Sequence, residues 1–176
     1  MKDCISLAGF MGSGKTSVGK ALLPMLGGYE FIDLDSYIEA MTGRSITEIF
    51  ENSGEGSFRQ MEQHALEDIF MTGEMLGSKT LLSLGGGTLT NEACARMIRR
   101  KTVCFYLRGR EETLLANIRK EPGSRPLLPE GKDQRARLSR LLAERVPVYE
   151  ATAHHIIDID GKSVEETAVD ILMTLQ

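Results

Sequence analysis

The sequence predicts an α/β fold: a three-layer sandwich in which helices cover both faces of a five-stranded parallel sheet. Two observations carry the prediction. Short apolar runs of strand length alternate along the chain with longer stretches whose apolar residues recur at helical spacing. The short runs are continuously apolar, as a strand buried on both faces requires, which points to a parallel sheet. The chain has 176 residues, 41% of them apolar. That length suits one domain spanning residues 1–176, with no internal repeat or linker.

Cys4–Ala8 is the first strand, followed by a glycine-rich turn. Over residues 16–26, Val18, Leu22, Met25 and Leu26 recur at helical spacing, with Pro24 and Gly27-Gly28 as stop signals. Residues 29–34 form the second strand. Residues 36–41 and 46–51 read as short helices. A longer helix over 55–71 carries the stripe Phe58, Met61, Ala65, Leu66, Ile69 and Phe70. Residues 80–84 are the third strand, closed by Gly85-Gly86-Gly87. Asn91 is a suitable cap for a helix over 91–100. The fourth strand follows over 102–107. Glu111–Lys120 is helical, and Pro122 disfavours helical geometry at Glu121. Residues 122–133, with three prolines and two glycines, form the one long loop, a candidate lid. Helix over 134–149, strand over 155–159 and helix over Val164–Leu175 complete the chain. In such sheets ligands bind outside the carboxyl ends of the strands.

Net charge is −4, so bulk electrostatics gives no reason to expect a nucleic-acid partner. Eight of the 13 arginines nevertheless lie between Arg108 and Arg145, which suits a small anionic ligand or, more plainly, solvated helix faces. Cys4, Cys94 and Cys104 are odd in number and far apart, and imply neither disulfide nor zinc. Met1-Lys2-Asp3 and the short apolar run behind it are too short for a signal segment, and no apolar stretch is long enough to cross a membrane. A cytoplasmic location is expected.

Residues 9–16, Gly-Phe-Met-Gly-Ser-Gly-Lys-Thr, match the phosphate-binding pattern G-x-x-x-x-G-K-[ST] between a strand and a helix. The glycines let backbone N–H groups close around phosphate, and the helix N-terminus adds positive potential. Gly12, Ser13, Gly14, Lys15, Thr16 and Ser17 are the expected nucleotide contacts. Lys15 would bridge the β- and γ-phosphates, and the Thr16 hydroxyl would ligate Mg²⁺. No Asn-Lys-x-Asp guanine reader is present. The third strand ends in glycine, where nucleotide-binding folds of this kind usually place an aspartate.

Asp33 and Asp35 stand at the end of the second strand. Residues two apart on extended backbone share a face, so both can point at the phosphate loop. Alternatively, Asp35 caps the next helix. Arg59 and Glu62 are three apart on one helix, which makes either a carboxylate clamp or a surface ion pair. The run Gly85-Gly86-Gly87 fits a turn where a ligand approaches the main chain, or a flexible turn.

The ordered set residues 9–16, Phe-Ile-Asp-Leu-Asp (31–35), Gly-Glu-Gly-Ser-Phe-Arg-Gln-Met-Glu (54–62), the triple glycine, Arg-Pro-Leu-Leu (125–128) and Glu-Arg-Val-Pro-Val-Tyr (144–149) closely resembles the shikimate kinase family. The resemblance runs from about Ile5 to Asp160. It implies a fold like that of nucleoside monophosphate kinases, with ATP as co-substrate, Mg²⁺ as metal and shikimate as acceptor. It also implies residue roles. Thr16 and Asp33 would serve the metal, and Asp35 the acceptor hydroxyl as candidate base. Arg59 and Arg145 would grip the acceptor carboxylate, and Gly85, Gly86 and Gly87 would line its ring. Lys15, Asp35 and Arg125 would be catalytic, Arg125 as the lid arginine. Arg119 would pack on adenine, and residues 160–163 would close that pocket. Residues 35–62 would be the acceptor-binding segment. The protein is expected to be a monomer with no nucleic-acid or membrane partner. Two rivals remain: a kinase of another small metabolite, such as gluconate, and a domain that binds without catalysing.

Overall fold

The computed structural model describes residues 3–121, 123 and 125–176. The helix stop assigned to Pro122 lies outside the described residues, as do Met1, Lys2 and Ser124. The strands are β1 (Cys4–Ala8), β2 (Tyr29–Asp33), β3 (Lys79–Ser83), β4 (Val103–Arg108) and β5 (His155–Asp158). The helices are α1 (Lys15–Leu22), α2 (Leu34–Thr42), α3 (Ile46–Leu76), α4 (Glu92–Lys101), α5 (Glu111–Lys120), α6 (Gln134–Thr152) and α7 (Val164–Leu175).

All pairings are parallel, in the order β2-β3-β1-β4-β5. The crossover from β1 to β2 runs one way along the sheet and every later crossover runs the other. Right-handed crossovers therefore put α1 on one face and α3 to α6 on the other. α7 packs on α1 and completes the first layer. The expected three-layer α/β sandwich is the fold observed. Central β1 is buried throughout, and Ile5, Leu7, Leu81, Leu82, Phe105 and Leu107 form the middle of the core. Cys4, Cys94 and Cys104 are free and buried, and burial pushes their thiols up to about 12, 12 and 11. Among the described residues no helix is long and apolar enough to cross a membrane.

Several boundaries differ from the sequence reading. The β2 strand stops at Asp33, and Leu34 already opens α2. The helices expected over 46–51 and 55–71 are one run, Ile46–Leu76, broken only at Gly54, whose φ of 78° and ψ of 171° are non-helical. The α6 helix, expected to end at Tyr149, continues to Thr152. Its end is held by Arg99, whose guanidinium donates to the carbonyls of Ala151, Thr152 and Ala153. Ser45 with Glu48, and Ser163 with Glu166, form reciprocal capping boxes that start α3 and α7.

Candidate active site

The turn after β1 wraps on itself at the carboxyl end of the sheet. Gly12 and Gly14 have φ of 80° and 81°, left-handed values that disfavour any side chain. A Cβ on Gly12 would also lie 2.6 Å from the Leu114 carbonyl oxygen. Asn117, on α5, donates to the Gly12 carbonyl at 2.9 Å and so braces the turn from outside. Ser13 is buried, and Ser17 is exposed on the first turn of α1. Lys15 curls over the turn, donating to the carbonyls of Gly9 at 2.8 Å and Phe10 at 3.1 Å. Burial lowers its ammonium to about 8, with Asp35 and Asp33 opposing the fall.

Thr16 donates to Asp33 Oδ2 at 2.6 Å, and its hydroxyl lies 3.4 Å from that of Ser83. A carboxylate and hydroxyls are hard oxygen donors of the kind Mg²⁺ takes, and Mg²⁺ needs only one or two protein oxygens beside phosphate and water. The residues present therefore fit that ion. Ser83 ends β3, where the sequence suggested a missing aspartate. An acid does stand beside it: Asp33 on the neighbouring strand is paired directly with Ser83 in the register.

Asp35 reaches the same region by a different route from the one expected. Extended geometry does not carry it, because the strand has ended; it stands in the first turn of α2. The cap of that helix is Asp33, whose Oδ1 accepts from the Ser36 amide at 3.0 Å. Asp33 thus serves a helix end through one oxygen and Thr16 through the other. Asp35 Oδ1 is buried without a hydrogen-bond partner, and so is Arg59 Nε. Burial first, then Glu62 and Asp33, push the Asp35 carboxyl up to about 6.

A pocket of about 330 Å³ opens beside Asp35, lined by Arg59, Glu62, Gly85, Gly86, Gly87 and Arg145 among others. Arg59 is fixed by Glu62 at 2.6 Å and Glu55 at 3.2 Å. Glu62 is fully buried, and its second oxygen accepts from Thr88 at 2.6 Å. A buried carboxylate with both oxygens engaged is a rigid mount for a guanidinium. The surface-pair alternative for Arg59 and Glu62 is therefore excluded. Arg145 is 4% exposed and lies over the Phe10 ring at 5.5 Å.

The triple glycine has a packing reason that the sequence reading did not supply. None of the three has positive φ. A Cβ on Gly87 would sit 2.2 Å from Arg59 Nη2, and one on Gly85 would sit 2.8 Å from Glu62 Oε1. On Gly86 it would meet Arg145 Nη1 and Met11 Cγ at 3.4 Å. Gly85 and Gly87 thus make room for the Arg59–Glu62 pair, whereas at Gly86 a Cβ would make ordinary contact.

Arg125 lines both this pocket and the one over the phosphate turn, which also holds Lys15, Thr16, Asp33 and Asp35. It pairs with Glu121 at 3.2 Å. Arg119 does not join these two pockets: it is exposed and lines a separate cavity with Arg125, Pro129 and Gln134. Asp160, just beyond β5, is tied to the start of α5 by the Arg110 amide at 3.0 Å and the Thr113 hydroxyl at 2.6 Å. Sequence reasoning missed Ser83, Thr88, Asn117 and Glu121. Only Ser83 carried a signal, as the polar residue at the end of an apolar strand.

A glycine cradle at the β1–α1 turn, a lysine and a threonine–aspartate pair in it, and a separate cationic pocket one side chain away define a P-loop kinase of small molecules. The shikimate kinase family model matches residues 11–176. The shikimate kinase of Dictyoglomus turgidum is 37% identical, over 100% of this chain and 99% of its own. A shikimate kinase of Thermus thermophilus is 39% identical, over 97% of this chain and 89% of its own. Among solved structures, shikimate kinase from Acinetobacter baumannii in complex with shikimate superposes with a TM-score of 0.87 at 33% identity, covering 98% of this chain and 92% of the other. This chain belongs to the shikimate kinase family. The tunicamycin resistance protein of Deinococcus radiodurans, at 16% identity and a TM-score of 0.72, shares the fold.

Proposed function

We propose that this chain transfers the γ-phosphoryl group of ATP to the 3-hydroxyl of shikimate, on the route to chorismate and the aromatic amino acids. The observation that carries the reading is the pocket itself. Two guanidinium groups, that of partly buried Arg59 and that of buried Arg145, share it with one buried, unpartnered carboxylate oxygen on Asp35, and it adjoins the phosphate turn. Such a pocket suits a small molecule carrying a carboxylate and hydroxyls.

Arg59 and Arg145 bind the acceptor carboxylate. Gly85, Gly86 and Gly87 let the ring lie close to the main chain. Asp35 accepts a hydrogen bond from the reacting hydroxyl, orients it and takes its proton as transfer proceeds. Lys15 and the backbone amides of the turn through Gly12, Ser13 and Gly14 hold the phosphates, with Ser17 at their edge. Thr16 and Asp33 would hold Mg²⁺, which when bound would neutralise phosphate charge. Arg125 meets the charge on the transferring group, a contribution worth about 10³–10⁵ in rate for arginines in this role. Residues 122–133 act as a lid that carries Arg125 and excludes water, residues 35–62 bind the acceptor, and Arg119 with residues 160–163 serves the adenine side. The proposal includes a monomer acting in the cytoplasm.

An ADP-release assay over shikimate, quinate and gluconate tests it. Shikimate is expected to be turned over and the others poorly. Gluconate as the better substrate would favour the rival kinase. No ADP release from folded protein with shikimate would leave only a binding domain.

A further inference from the structure

The segment 144–149 contributes Arg145 to the pocket, yet its last residue has no part in the chemistry above. Tyr149 stands one helical turn beyond Arg145 on α6 and is 1% exposed. Its phenol donates to the Gly86 carbonyl. The Arg145 guanidinium lies beside the same glycine: a Cβ on Gly86 would sit 3.4 Å from Arg145 Nη1. Its ring lies against Tyr106, 5.0 Å between centroids. Burial raises the phenol pKa, so it remains a donor throughout the working range. One buried hydroxyl therefore ties the helix that carries Arg145 to the middle glycine of a turn with no side chains of its own.

We infer that Tyr149 is a positioning residue for the acceptor, acting through Arg145 and the Gly86 peptide. The inference rests on the reading of this pocket as the acceptor site. A run of three glycines has no intrinsic preference for one orientation. Holding the Gly86 carbonyl fixes the plane of the following peptide, and with it the Gly87 N–H on the opposite side. The same contact sets where Arg145 can present its charge. Pro147, between the two, supplies no N–H to the helix, so the local helix is fastened by side chains such as this one.

Tyr149→Phe keeps the ring and its Tyr106 contact and removes only the hydroxyl. Tyr106→Phe perturbs the same aromatic pair without touching Gly86 and serves as control. Steady-state kinetics for both substrates, calorimetric shikimate binding without nucleotide, and melting temperature are measured on wild type and both variants. For Tyr149→Phe, the KM and Kd for shikimate are expected to rise about tenfold, the scale of one buried hydrogen bond lost. KM for ATP should stay within about twofold, and Tyr106→Phe should leave both KM values within about twofold. Three results would each overturn the inference: an unchanged shikimate KM in Tyr149→Phe, equal losses for both substrates, or a melting temperature lowered so far that little folded protein remains. Each would make the hydroxyl neutral or purely structural. Wild type inactive on shikimate would instead sink the substrate reading, and the two failures are told apart by that first measurement.

Discussion

The site contains two glycine groups, and they are glycine for different reasons. Gly12 and Gly14 occupy left-handed backbone conformations, so the constraint lies in the residues' own φ angles. None of Gly85, Gly86 and Gly87 has positive φ, and at Gly85 and Gly87 the constraint lies in distant side chains: Glu62 and Arg59 fill the volume a Cβ would need. The phosphate turn is thus made largely by local conformation. The acceptor pocket is made by packing between α3, α6 and the turn after β3. Electrostatics follows the same division. Lys15 is satisfied by carbonyls of its own turn, whereas Asp35 and Arg59 each keep a buried polar atom without a partner.

The largest effects should come from the two arginines that face these regions. Arg59→Ala removes a partner of a ground-state carboxylate and should mainly raise the shikimate KM. Arg125→Ala removes charge met in the transferring state and should mainly lower kcat. The Arg59 loss should be about 2–5 kcal/mol, and the Arg125 loss about 4–7 kcal/mol, the free-energy equivalent of about 10³–10⁵ in rate. Steady-state kinetics decides: a kcat effect for Arg59, or a KM effect for Arg125, would abolish the division between the two regions.

Alanine at the glycines sharpens the comparison at lower amplitude. Gly12→Ala should weaken ATP binding and lower the melting temperature, because it combines strain of about 1–2 kcal/mol with a clash on the Leu114 carbonyl. Gly87→Ala should leave ATP binding within about twofold and raise the shikimate KM about tenfold, because Arg59 must move to admit the methyl group. If both variants damaged ATP binding alike, the glycines would share one role.

The pH response should be gentler. With Asp35 raised to about 6 and Lys15 lowered to about 8, kcat/KM for shikimate should fall below about pH 6 as Asp35 protonates and above about pH 8 as Lys15 loses its charge. The sign for stability is opposite to that of a paired carboxylate. The folded state holds the Asp35 proton more tightly than the unfolded state, so ionised Asp35 destabilises the fold, fully so above about pH 6 and not at all below its unfolded value of 3.8. Asp35→Asn should therefore abolish the acid limb and gain about 1–3 kcal/mol of stability at about pH 7.5. A denaturant titration showing a less stable variant would mean that Asp35 holds the fold together.

The strands and most helices were legible in the sequence because buried parallel strands and amphipathic helices write their periods directly into it. The phosphate turn was legible because its requirements are local: glycine where φ is positive, then lysine and threonine at the helix start. Residue spacing raised Asp35 and Arg59 as candidates, the resemblance added Arg145, and the structure brings all three into one pocket. Tertiary structure alone decided why they can work there. It put Asp33 rather than Asp35 at the helix cap and joined two expected helices into one run bent at Gly54. It buried Glu62 under Thr88 and seated the Arg59–Glu62 pair in space left by Gly85 and Gly87. Contacts between residues as far apart in the chain as Glu62 and Thr88 leave no period in the sequence, and a missing Cβ is meaningful only once the side chain that occupies its place is known.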